Sequence, residues 1–321
     1  MNVISTRRVC SGYSKPFTMA AVAAVSLTLT ACSPADQPAE TTQQSSSSDT
    51  PLTNQSASAS TVPDSSSNSD ANDLTTGSTN DSANGAIRIA AAANLSDVLP
   101  QIIEQYKADK HQPNQNIEVT YGSSGKLYAQ AIAGAPYDVF LSANQEFAAK
   151  MAHEIHSQSS AHQPFTYARG QLALYSTTQP VKPLNEMTLT QVLKSQPNAK
   201  ITIANPDLAP YGASAKAYLQ KEGLFDTLTQ QKRLIQAENI GQAFQYAHTG
   251  NVDYGFVALS QVTAIKATPT QFYTLPAESY PAILQDALVI SSAPAAEDFA
   301  QYLRSPAAQQ LFAQAGYMAV D

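Results

Sequence analysis

The chain has 321 residues, a net charge of −7 and 13% charged residues. Its two cysteines, Cys10 and Cys32, both precede residue 33; everything after them has no disulfide framework, zinc ribbon or thiol nucleophile available. Residues 32–85 hold seven acids and no base, whereas residues 86–321 carry fifteen bases against eighteen acids, a nearly neutral balance that offers nucleic acid no footprint.

In chain order, the first signal is one of address. Arg7, Arg8 and Lys15 precede an apolar run at 20–29 that is too short to span a bilayer and suits the core of an export signal. Leu29-Thr30-Ala31-Cys32 is similar to a bacterial lipobox, so 1–31 reads as a lipoprotein signal peptide and Cys32 as the lipidated residue. Acyl chains there would supply more than the two signals that stable anchoring needs. The alternative is an ordinary cleaved signal with Cys32 incidental. Residues 32–85 are rich in Ser, Thr, Asn, Asp and Gln, a composition that cannot bury enough surface to offset chain entropy. They read as a tether whose ends lie roughly 40 Å apart as a flexible coil, or as filler.

Residues 86–321 open as strand 87–92, helix 95–107, strand 117–121, helix 126–132 and strand 138–142. Short apolar strands alternating with amphipathic helices predict an α/β fold with mostly parallel sheet. A less regular stretch spans 151–170. Strands are then expected at 172–175, 200–204, 254–259 and 287–291, and helices at 213–221, 243–248, 297–304 and 307–315, with Gly316 stopping the last.

Ligands of such folds lie beyond the carboxyl ends of strands. Four strand-to-helix turns share tiny, hydroxylic or capping residues: Ala91-Ala92-Ala93-Asn94-Leu95-Ser96, Tyr121-Gly122-Ser123-Ser124-Gly125-Lys126, Asn205-Pro206-Asp207-Leu208-Ala209-Pro210-Tyr211-Gly212 and Ala237-Glu238-Asn239-Ile240-Gly241. Each presents free N–H groups at a positive dipole end, and together they would hold an anion without metal or arginine. Each alone is compatible with plain capping.

The blocks Ile89-Ala90-Ala91-Ala92-Ala93-Asn94-Leu95, Ser123-Ser124-Gly125 and Ala133-Gly134-Ala135-Pro136-Tyr137-Asp138-Val139-Phe140-Leu141-Ser142-Ala143 resemble the molybdate-binding proteins of ABC transporters. So do Pro210-Tyr211-Gly212 with Ala215-Lys216, Ala237-Glu238-Asn239-Ile240 and the helices at 303–316, and the likeness covers 86–321. It implies a two-lobed clamshell of the type II periplasmic kind, each lobe a mostly parallel sheet flanked by helices. Lobe 1 would be 86–170 with 280–321 and lobe 2 would be 171–279, closing about the strands near 170 and 275–285. It further implies that Asn94, Ser124, Tyr211 and Ile240 bind the oxyanion, Ile240 through its backbone N–H, supported by Ala93, Ser123, Gly125 and Asn239. Some members place a phenol where this chain has Ala258; here Tyr211 takes that donor role from the proline turn. The implied ligand is molybdate or tungstate, with no cofactor, no metal other than the oxyanion's own and no catalysis. The implied partners are an ABC permease and, through Cys32, the outer face of a bacterial membrane, with the chain a monomer.

A site lined only by donors satisfies a fully deprotonated dianion and rejects hydrogen phosphate, whose proton would be left unpaired. Asp97 and Glu238 lie near the turns and are the candidate acceptors that would change this; the plainer reading makes them solvated helix-turn acids. Sulfate or phosphate as cargo, an enzyme and a surface interaction protein remain the alternatives. Gly122-Ser123-Ser124-Gly125 is one residue short of a nucleophile elbow. His111, His153, His156, His162 and His248 show no zinc spacing.

Overall fold

The structure is a computed structural model that describes residues 85–155, 163–181, 184 and 187–320. The export signal, Cys32, all of the acidic tether but its last residue, and His156 and His162 lie outside them.

Two five-stranded sheets organise the described residues. The first contains β1 (Ile87–Ala92), β2 (Ile117–Gly122), β3 (Val139–Leu141), β4 (Phe165–Gly170) and β10 (Ile283–Val289), in the order β2-β1-β3-β10-β4. The second contains β5 (Leu172–Tyr175), β6 (Ile201–Ala204), β7 (Leu234–Ala237), β8 (Tyr254–Ala258) and β9 (Phe272–Thr274), ordered β7-β6-β8-β5-β9. In each, three strands run parallel, and the strand that follows them across the sheet is antiparallel to both its neighbours: β10 in the first, β5 in the second. The chain therefore passes between the sheets twice, from β4 directly into β5 and from β9 back into β10.

Both faces of each sheet carry helices, which explains why inner strands such as β1, β3 and β8 read as largely apolar runs. Along β1, Ile87, Ile89 and Ala91 enter one core with α1 (Leu99–Asp109), α9 (Pro294–Tyr302) and α10 (Pro306–Gln314); Ala90 faces the other, with Leu127 of α2 (Ser124–Ile132) and Met151 of α3 (Gln145–Ile155). The second sheet packs against α4 (Leu189–Lys194), α5 (Pro210–Lys221) and α6 (Phe225–Gln230) on one side. Phe244 and Ala247 of α7 (Ile240–His248) and Val262 of α8 (Leu259–Ala264) belong to the core on the other.

Several expected bounds shift for local reasons. The helix expected at 95–107 is split: a 3-10 turn at Ala93–Leu95 precedes α1, which starts at Leu99 with Pro100 in its first turn. Helices α5, α9 and α10 begin at Pro210, Pro294 and Pro306, the first two three residues before the expected starts and the last one residue before, because proline fits a helix's first turn. The irregular stretch at 151–170 contains the end of α3 and all of β4, and α3, α4, α6, α8, β4 and β9 were not expected from periodicity.

Candidate functional site

The four small-residue turns sit at the carboxyl ends of β1, β2, β6 and β7, and they converge. Ala93, Asn94, Ser123, Ser124, Tyr211, Asn239 and Ile240 line one cavity between the two sheets; Gly125 does not. The cavity is small, about 10 Å³, the scale of a single water molecule. Among the described residues that line it there is no Asp, Glu, Lys, Arg or His.

Each turn prepares donors. Ser123 caps α2 in an extended conformation without a side-chain capping bond, and its buried Oγ has no partner among the described residues. Ser124 Oγ accepts the Ala143 N–H at 2.9 Å, which leaves its own proton to give. Asn239 caps α7, its Oδ1 accepting the Gln242 N–H at 3.0 Å. The N–H groups of Ser124, Tyr211 and Ile240, in the first turns of α2, α5 and α7, meet no protein acceptor among the described residues. Such first-turn N–H groups carry the helix's partial positive charge.

Gly125 has a different task. Its N–H donates to Leu208 O at 2.9 Å, joining the turn after β2 to the turn after β6. Lys126 and Glu238 form an ion pair of 2.5 Å across the same two sides, with both side chains substantially exposed. Glu238 is thereby engaged outside the cavity. Asp97 is exposed as a residue, partial desolvation of its carboxyl raises its pKa, and it does not line the cavity either.

Behind the cavity lies a buried polar network that sequence reasoning missed. Asn94 Nδ2 donates to Gln285 Oε1 at 3.0 Å and to the Tyr317 hydroxyl at 2.9 Å, while Asn94 Oδ1 has no partner among the described residues. Tyr317 donates to Asn94 O at 2.8 Å, and Ser260 Oγ donates to the same carbonyl at 3.1 Å. Gln285 Nε2 donates to the Tyr211 hydroxyl at 3.2 Å, and the Tyr167 hydroxyl donates to Gln285 Oε1 at 3.0 Å. Gln261 Nε2 reaches Ile240 O at 3.2 Å, fixing the start of α7. The one available signal was Gln285 itself, a polar residue inside an apolar strand and fully buried.

Burial pushes the Tyr317 phenol up to about 12 and the Tyr167 and Tyr211 phenols well above their ordinary value, so all three keep their protons even in moderately alkaline solution. Among the described residues, no group of three or more His, Cys, Asp or Glu is placed to hold a metal ion.

Residues 87–318 match the family described as bacterial extracellular solute-binding protein. The molybdate-binding protein ModA of Azotobacter vinelandii is 35% identical over 235 residues, covering 72% of this chain and 89% of that one. The molybdate-binding protein ModA of Rhodobacter capsulatus is 32% identical over 237 residues, covering 73% and 88%. The solved structure of the Azotobacter vinelandii periplasmic molybdate-binding protein superposes with a TM-score of 0.65 at 33% identity, covering 73% of this chain and all of that one.

Proposed function

We propose that this chain, which belongs to the bacterial extracellular solute-binding protein family, captures molybdate between two lobes as the substrate-binding component of an ABC transporter. Two relatives above 30% identity carry that ligand in their names. The observation that carries the reading is the convergence of four loops, from both sheets, on one cavity lined by uncharged groups.

In this reading the Ser124, Tyr211 and Ile240 N–H groups and the Ser123, Ser124 and Tyr211 hydroxyls meet the oxygens of the dianion. Hydrogen bonds to a charged group contribute about 1.5–3 kcal/mol each, so a handful suffices for tight capture after ordering costs. The role is carriage without turnover, and tungstate fits the same chemistry. Lobe 1 comprises 86–170 with 280–321 and lobe 2 comprises 171–279, with a permease reading their closed form. Cys32 anchors the chain to the outer face of the membrane, and it acts as a monomer.

Calorimetric titration of the full chain with molybdate, tungstate, sulfate and phosphate tests the ligand. Binding of the first two should exceed that of the others by about a hundredfold or more. Equal affinity for all four, or none for any, would sink the reading.

A further inference from the structure

The polarity of the buried network can be traced bond by bond. Asn94 O is a carbonyl and only accepts, and the Tyr317 hydroxyl gives it its single proton at 2.8 Å. The Tyr317 oxygen is therefore an acceptor, and it takes a hydrogen from Asn94 Nδ2 at 2.9 Å. That orients the Asn94 carboxamide and aims its second N–H at Gln285 Oε1, 3.0 Å away, where Tyr167 also donates. Tyr167 also has Ser142 O within 3.4 Å, but the Asn94 N–H alone fixes Oε1 as the acceptor, so Gln285 offers Nε2 to the Tyr211 hydroxyl at 3.2 Å. The Tyr211 oxygen then accepts, and among the described residues its proton has no acceptor. Tyr211 lines the cavity.

We propose that Gln285 is a positioning residue for the anion site: it fixes the Tyr211 hydroxyl as a donor with its proton left for the ligand, and it does so from the strand that returns from lobe 2 to lobe 1. The second returning segment completes the socket. A Cβ on Gly170, the last residue of β4, would lie 2.1 Å from the Tyr211 hydroxyl and 2.7 Å from Gln285 Nε2. Gly170 is thus the gap into which the phenol fits, one residue before the chain crosses into β5. A ligand-lining side chain of one lobe is seated between both crossing strands, so its position and the angle between lobes are set together. Every phenol in the relay is neutral at neutral pH, and burial extends that range upward, so the direction of donation is preserved.

This inference rests on the oxyanion reading and deepens it. The test labels tyrosines with 13C at Cζ and side-chain amides with 15N in the full chain, with Tyr211→Phe and Asn94→Ala assigning the two signals. On adding molybdate, the Tyr211 carbon should shift as its proton finds an acceptor. Movement of the Asn94 amide with an unmoved Tyr211 carbon would show the relay running the other way, with Tyr211 donating to Gln285, and would overturn the proposal. This measurement needs no change at Gln285. In parallel, Gln285→Met should weaken molybdate binding roughly tenfold in the parent and less than about twofold in the Tyr211→Phe background. Equal losses in both backgrounds would reduce Gln285 to packing. If the parent binds no oxyanion, the wider reading falls with this one; binding without the Tyr211 shift removes this one alone.

Discussion

Ser123 and Ser124 are adjacent and both buried, yet their hydroxyls are differently engaged. Ser124 Oγ accepts the Ala143 N–H, whereas Ser123 Oγ has no partner among the described residues. Removing the first leaves a buried N–H unsatisfied, so Ser124→Ala should lower unfolding stability by about 1–3 kcal/mol as well as weaken molybdate binding. Removing the second deletes no intramolecular bond. Ser123→Ala should therefore leave urea unfolding within about 0.5 kcal/mol of the parent while costing about 1.5–3 kcal/mol of anion binding. Unfolding curves and calorimetry on both variants separate the two; a Ser123→Ala chain that binds like the parent would take that hydroxyl out of the site. The phenols make a second prediction. Tyr167, Tyr211 and Tyr317 are all raised by burial in the folded state, so the folded chain keeps protons that the unfolded chain begins to lose near pH 10. Stability should be full below pH 10 and fall as pH rises toward about 12. Urea midpoints measured at several pH values across that window check the sign.

The turns at the site were legible because their chemistry is local. Serine, asparagine and glycine at a strand end followed by a helix announce capping and free N–H groups within six residues. Their supports were not, because Gln285, Tyr317 and Ser260 reach Asn94 from 191, 223 and 166 residues away. The expected strand at 287–291 also began too late, since Gln285 and Asp286 break the apolar run of β10. A reading by periodicity discards such polar interruptions, and here one of them is part of the site's scaffold. Helix α5 shows the same limit. Its start at Pro210 places Gly212 against the end of β6, where a Cβ would lie 2.2 Å from Ala204 O. Gly212→Ala should push the first turn of α5 off the sheet, costing about 1–3 kcal/mol in stability and displacing Tyr211. A thermal unfolding scan and a molybdate titration should register both losses, and an unchanged pair of values would contradict the close approach.

At the level of the whole molecule, the alternation of strands and helices was readable and β5 and β10 were both expected as strands, but their antiparallel direction was not, because direction is set by pairing and not by composition. Across the cleft, Lys126 and Glu238 are exposed enough that their pair should contribute no more than about 1 kcal/mol. Lys126→Ala should weaken capture less than about tenfold, and the gap to the parent should shrink at about 1 M salt, where screening acts within about 3 Å. Titrations at low and high salt measure it; a gap that persists would assign Lys126 a role beyond charge. The placement of β10 between β3 and β4 has a consequence for how the protein is made. As the chain emerges from the ribosome, the strands at 172–274 can assemble a sheet from one uninterrupted stretch. The sheet begun at residue 87 must wait, with the edges of β3 and β4 unpaired, until residues 283–289 arrive. The half synthesised first is thus the half finished last, and a nascent chain cut short before that strand would leave those edges open to pairing with other chains.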